Sequence, residues 1–293
     1  MAFAGCPNIG QLVRPRWTPA ATRRRLAPML DQPQRFQRVK GEARVQVTRA
    51  GLADLRQQGS AKAMLPRTDD PDPEVVFLNT AGGVTGGDRL DYALTVGAGA
   101  RVTGATQTAE RAYRATGAEP GRVVTRLEVG AGARLDWLPQ EVIVFEGAHL
   151  HRLTDVALAA DATFLGVESV VLGRAAHGET LARATLDDLR SIRRAGRLVH
   201  QEHLAFGARA LADPATFGAA RAMATITFLA QGAEDALGPL RAALGADGHA
   251  SGWDGRVVAR LVAAEAAPLR RALIRAIFVL RGRPVPRVWQ SDL

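Results

Sequence analysis

Cysteine is nearly absent: Cys6 stands alone, so neither an internal disulfide framework nor a cysteine zinc cluster can form, and a reducing cytosol is the natural setting. Aromatic residues make up only 5% of the chain, and no recognised nucleic-acid module accompanies them. Lysine is almost replaced by arginine within a formal net charge of +9. Such a balance suits nucleic acid, a membrane surface or an acidic partner, and equally a coding bias toward Arg and Ala. No apolar run approaches the roughly 20 residues that span a bilayer. Arg23-Arg24-Arg25 has no apolar segment behind it, so an export signal is not expected. Gly-Lys-Ser/Thr after a glycine loop is missing, as is Gly-x-Ser-x-Gly, which excludes a Walker loop and a nucleophile elbow.

What is present is enough chain, 293 residues, to bury a full core. Pro7, Pro15, Pro19, Pro28 and Pro33, with several arginines, make residues 1–38 a basic flexible tail ahead of one domain, 39–293. From Gly41 the pattern has period two, as in a half-buried strand, and it recurs over Arg89 to Val96. The segment Val96-Gly97-Ala98-Gly99-Ala100-Arg101 returns as Val129-Gly130-Ala131-Gly132-Ala133-Arg134, with a degraded copy at Leu158 to Thr163. Strand pairs repeating about every 30 residues predict stacked β-coils. The expected class is mainly β, stacked or two-layer sheets (β-helix-like or a sandwich). A few helices are expected in the C-terminal third, at Ala233 to Leu244 and Ala266 to Leu280, followed by an extended end whose Trp289 packs back.

The centre of the pattern is Asn79-Thr80-Ala81-Gly82-Gly83-Val84-Thr85-Gly86-Gly87-Asp88, a strand delivered into a sharply shaped loop with an acid at its exit. Glu168 lies inside an otherwise apolar strand. It either lines a wet cavity or pairs with Arg174 or another arginine. His149 and His151 share one face of a strand, two ligands without a third, or simply exposed histidines.

Four segments in order carry a family resemblance: the glycine stretch, Thr106-Gln107-Thr108-Ala109-Glu110-Arg111-Ala112-Tyr113-Arg114, Leu135-Asp136-Trp137-Leu138-Pro139-Gln140-Glu141, and Leu172-Gly173-Arg174 with Gly178-Glu179. Together with Pro286-Arg287-Val288-Trp289 they resemble the urease accessory protein family UreD, also called UreH. The departure is Glu110-Arg111, where the family usually has a small polar residue and a lysine. The resemblance implies a β-rich, non-enzymatic chaperone and scaffold in the cytoplasm. It would act with UreF, the GTPase UreG and urease apoprotein in nickel insertion, with nickel supplied by the metallochaperone UreE and no nucleotide, membrane or nucleic acid bound by this chain. It implies Asp88 and Glu168 as weak, transient nickel sites along a water-filled passage. Gly82, Gly83, Gly86, Gly87, Arg111, Tyr113, Arg114, Trp137, Gln140, Glu141, Arg174 and Glu179 would serve as motif, partner or passage-lining positions. Two other classes stay open: a stacked-coil hydrolase using Asp88, Asp136 or Glu141 as acid and base, and a basic nucleic-acid binder.

Overall fold

A computed structural model describes residues 38–68, 70–174 and 177–290. The proline-rich tail expected over 1–38 lies outside the described residues except for Arg38. In chain order the strands are β1 (Lys40–Thr48), β2 (Gly51–Gly59), β3 (Ala61–Met64), β4 (Glu74–Asn79), β5 (Arg89–Val96), β6 (Arg101–Thr106), β7 (Glu110–Ala112), β8 (Gly121–Val129) and β9 (Arg134–Leu138). They continue as β10 (Val142–Val144), β11 (His149–Leu158), β12 (Thr163–Leu172), β13 (Thr185–Arg194), β14 (Arg197–Phe206), β15 (Ala222–Leu229), β16 (Gly248–Trp253) and β17 (Arg256–Ala263). Helices are α1 (Ala208–Ala212), α2 (Leu237–Leu244) and α3 (Ala266–Arg281).

The strands form two sheets. The first runs β14-β13-β11-β8-β5-β1-β2; the second runs β16-β17-β15-β12-β9-β6-β4-β3, with β7 and β10 branching from β12. The central strands of both are parallel, because each stacked coil crosses from one sheet to the other and back. The Gly-Ala repeats are those crossings. Val96 pairs with Val129 and Val129 with Leu158, which stacks the three turns. The Gly99 amide donates to the Ala131 carbonyl at 2.8 Å. The degraded third copy belongs to the same series: its Asp161 carboxylate accepts from the Gly132 amide at 2.9 Å. Glycine is needed where turns stack this closely: a Cβ on Gly130 would sit 2.8 Å from the Ala98 nitrogen.

Alternation decides which side chains meet between the sheets. Leu94, Leu127 and Val156 of the first sheet face Val102, Leu135 and Phe164 of the second, all buried. The opposite face of the second sheet, with Leu138, Leu165, Val167 and Ile226, is covered by α3 through Leu269, Leu273, Ile277 and Leu280. Pro268 is accepted in the first turn of α3, where its missing amide has no helical partner to lose. Gly282 ends the helix with φ of 70°. Beyond it, Pro286 is extended as expected, but Arg287–Trp289 is a single 3₁₀ turn rather than a continuation of the extended end. Trp289 is buried, and its indole N–H donates to the Leu138 carbonyl at 2.8 Å. Among the described residues no helix is long and apolar enough to cross a membrane.

Candidate functional site

At the end of the coils opposite the Gly-Ala turns lie the return loops. They enclose a cavity of about 240 Å³ between the sheets. Its rim comes from Asn79 and Gly82 of the glycine stretch and from Thr106 to Arg111; its walls include Tyr92, Thr125, Trp137, Gln140 and Arg152. Phe77 packs edge-on against both Tyr92 and Trp137, at 5.3 and 5.9 Å between ring centres, giving the cavity a rigid aromatic wall. Glycine at 83 is required by close approach, since a Cβ there would lie 2.2 Å from the Tyr113 ring and 2.7 Å from the Arg111 carbonyl oxygen.

The cavity stops at Arg152, where a layer of charged side chains begins in the otherwise apolar interior. Arg152 donates to Glu168 at 2.6 Å and to Asp188 at 3.0 Å. Asp188 is also held by Arg190 at 2.7 Å, and Arg190 lies 3.6 Å from Glu202. Glu202 in turn accepts from Thr225 at 3.0 Å and Arg260 at 3.3 Å. The register explains the layer: Arg190 pairs with Glu202 on the first sheet, while Glu168, Thr225 and Arg260 are successive partners on the second. The Trp137 indole N–H donates to the other Glu168 oxygen at 3.3 Å. Burial opposes charge on Arg152, yet Asp188 and Glu168 outweigh it and hold its proton above the ordinary arginine range. Burial likewise opposes ionisation of Asp188, but Arg152 and Arg190 keep its carboxyl below the ordinary value. Glu110, on the cavity rim, behaves oppositely: burial pushes its carboxyl up to about 6 against the pull of Asn79 and the Arg111 amide. The Tyr92 phenol is pushed up by burial, with Glu110 adding to the effect.

Other predicted positions gather as a ledge beside the cavity. Arg111 and the Tyr113 hydroxyl both donate to the Gly82 carbonyl, at 3.4 and 3.3 Å. Tyr113 meets Phe145 edge-on at 5.2 Å, and the Arg174 guanidinium lies over the same Phe145 ring at 4.7 Å. The Arg174 guanidinium makes two 3.0 Å bonds to Glu179, and its backbone amide makes a third. The Arg114 carbonyl accepts from Thr85 at 2.7 Å, while its side chain packs beside Gly147. Gln140 links the cavity to the C-terminal turn, donating to the Val288 carbonyl and accepting from Arg270, both at 2.7 Å. Glu141 faces a different groove, with Ser169 and Arg270, under α3. Asp88 is buried within its own loop: one oxygen accepts the Val39 amide at 2.8 Å and the other the Thr85 amide at 2.9 Å. Gly87 next to it takes φ of 84°, and a Cβ on Gly86 would lie 2.5 Å from the Glu119 carbonyl oxygen.

The sequence profile of the UreD urease accessory protein family matches residues 39–290. The chain belongs to that family. A protein named Urease accessory protein UreD from Dinoroseobacter shibae is 54% identical over 264 residues, 87% of this chain and 94% of its own length. Proteins of the same name from Cereibacter sphaeroides and Paracoccus denitrificans are 53% and 48% identical, covering 87% and 92% of this chain and 96% and 99% of their own lengths. The four motifs fall inside the matched span. All four, with Gly82, Arg111 and Tyr113, Trp137 and Gln140, and Arg174 and Glu179, surround one end of the coils.

Within this UreD-family fold the carboxylates named for a hydrolase do not converge. Asp136 sits on the helix side of the second sheet, held by Arg134 at 2.8 Å and Arg281 at 2.9 Å. Asp88 is in its loop and Glu141 in the helix groove. His149 and His151 do share a face, their rings 5.2 Å apart and part-exposed. Among the described residues no group of three or more His, Cys, Asp or Glu is arranged to hold a metal. The sequence reading missed Arg152, Asp188, Arg190 and Glu202. The available signal was parity: Arg152 occupies the inward set Leu150, Thr154 and Val156, where an uncompensated charge would not survive.

Proposed function

We propose that this chain is a non-catalytic scaffold of urease maturation. With UreF and the GTPase UreG it docks on urease apoprotein in the cytoplasm and assists GTP-dependent nickel incorporation, nickel being cargo delivered by UreE and bound only in transit. The observation that carries this is the charged layer reached from the cavity: an interior row, Arg152 to Glu202, in which every acid is already engaged by an arginine, a hydroxyl or an indole. Oxygen ligands suit a borderline divalent cation, and engagement by arginine keeps them weak, as a conduit that must release its ion requires. Glu168 is the transit carboxylate at the inner end of the cavity, where Arg152 must swing aside for an ion to pass. Asp88, with both oxygens on backbone amides, holds the loop that shapes the mouth and offers at most a brief contact. The ledge of Arg111, Tyr113, Arg114, Arg174 and Glu179 is the surface offered to partners.

The test is urease activation in a reconstituted mixture of nickel, GTP, UreF, UreG and apoprotein. Glu168→Ala, and the gentler Glu168→Gln, are expected to fold, to join the complex and to activate urease poorly. Full activation by both variants with an intact complex would remove Glu168 from any nickel route.

A further inference from the structure

Strand β2 closes one end of the first sheet, with β1 on one side and, among the described residues, no strand on the other. Such an edge presents a row of backbone N–H and C=O groups able to pair with another chain. Every residue from Leu52 to Gly59 is exposed. The register explains what the two faces of β2 carry. Leu55 pairs with Val45 and Leu52 with Val47, and a bulge at Ala53 keeps both leucines on the inward face. Val45 and Val47 are buried, whereas Leu52 and Leu55 are 49% and 37% exposed, so the apolar rows of the core run on into solvent. On the outer face Arg56 stands directly opposite Arg44, and the two share the Glu42 carboxylate at 3.5 and 2.7 Å. Asp54 stands opposite the neutral Gln46. The edge therefore carries a cation and an anion on one face, two residues apart, and neither is neutralised by the residue opposite it on β1.

We propose that β2 pairs with β2 of a second copy of this chain, antiparallel about Leu55, joining the two first sheets into one. Residues opposite each other in a sheet share a face, so a two-fold pairing centres on a residue and not between residues. Centring on Asp54 or on Arg56 sets like charges against each other, and centring on Gln57 sets Arg56 against Gln58. Centring on Leu55 sets Asp54 of each chain opposite Arg56 of the other and packs Leu55 on Leu55. Each outer row of the joined sheet then runs Arg44, Arg56, and Asp54 and Gln46 of the second copy, so the paired arginines gain a second carboxylate. One strand from each side is a small contact, below the roughly 1,200 Å² of stable complexes, so the dimer is weak and forms at high concentration. Nothing in this pairing depends on nickel or on the maturation role.

The experiment is sedimentation equilibrium of the full chain at low salt, over loading concentrations of about 1 to 300 µM. It compares the wild type, Asp54→Arg, Arg56→Asp and an equimolar mixture of the two variants. The wild type is expected to show a reversible monomer–dimer equilibrium. Each variant alone meets like charges at both pairs, so its dimerisation should weaken at least about tenfold. In the mixture every charge meets its opposite again, and a heterodimer should form about as tightly as the wild-type dimer. Both positions are exposed, so circular dichroism and the melting temperature of each variant should match the wild type. A wild type that stays monomeric throughout leaves the edge to some other chain and overturns the proposal. Variants that dimerise like the wild type, or a mixture that associates no more than its components, overturn it as well.

Discussion

Replacing Arg152 by methionine would expose how the interior layer is held. Its guanidinium is about nine-tenths buried, with the side chain only 10% exposed, and it is the sole arginine bonded to Glu168 among the contacts described. Removing one partner of a buried ion pair leaves the other charge desolvated and typically costs about 3–5 kcal/mol. Asp188 keeps Arg190 at 2.7 Å, so most of the loss falls on Glu168. Arg152→Met should therefore destabilise the chain by roughly 3–5 kcal/mol in urea unfolding. Arg152→Met combined with Glu168→Met should recover to within about 1–2 kcal/mol of wild type, a coupling energy of about 2 kcal/mol or more. An ion pair bathed in water would show a coupling of at most about 1 kcal/mol. A measured coupling near zero would refute the description of Arg152 and Glu168 as a buried ion pair at the inner end of the cavity.

Three further outcomes follow from the same contacts. Because the folded protein holds the Glu110 proton more tightly than an unfolded chain does, unfolding releases it between the ordinary value of 4.5 and about 6. Stability measured under chelator should fall by about 1–2 kcal/mol as pH rises through that window and level off above it, and Glu110→Gln should flatten the step. Trp289→Ala empties a buried site and strands the Leu138 carbonyl, so it should cost about 3–5 kcal/mol, read from denaturant midpoints. Gly83→Ala drives a methyl into the Tyr113 ring and a backbone carbonyl; it should lower the melting temperature by several degrees and displace the Tyr113–Phe145 pair, seen in near-ultraviolet circular dichroism.

Much of the architecture was legible because it rests on local rules. Period-two alternation marked β1 and β5, and β4 and β5 begin and end where their patterns do. The Gly-Ala repeat was readable because stacked turns leave no room for side chains at positions such as Gly130. The hairpin between β13 and β14 carries a glycine signal, with Ala195 and Gly196 at φ of 49° and 79°. Its counterpart at Asp254-Gly255, φ 48° and 71°, carries the same signal, yet β16 went unnoticed because His249, Ser251 and two glycines give an edge strand no apolar alternation. The C-terminal turn was misjudged because prolines signal extended backbone, whereas burial of Trp289 accompanies a wound turn over Arg287–Trp289.

The site was less legible, because it is made by register between distant strands. Glu168 was readable as a charge in an apolar strand, but its partner was not. Arg174 is near in sequence and lies beyond the strand end, where Glu179 takes it; Arg152 arrives from the other half of the coil. Glu110 could be noticed only as a departure from the family pattern.

The route through the cavity can be tested without touching any charge. Thr125 is buried on the cavity wall, and Thr125→Phe would fill the space in front of Arg152. In the reconstituted activation assay, the plugged chain is predicted to form the complex with UreF, UreG and apoprotein and to activate urease at a small fraction of the wild-type rate at equal nickel. Wild-type activation by a folded, plugged chain would contradict passage of nickel through this protein.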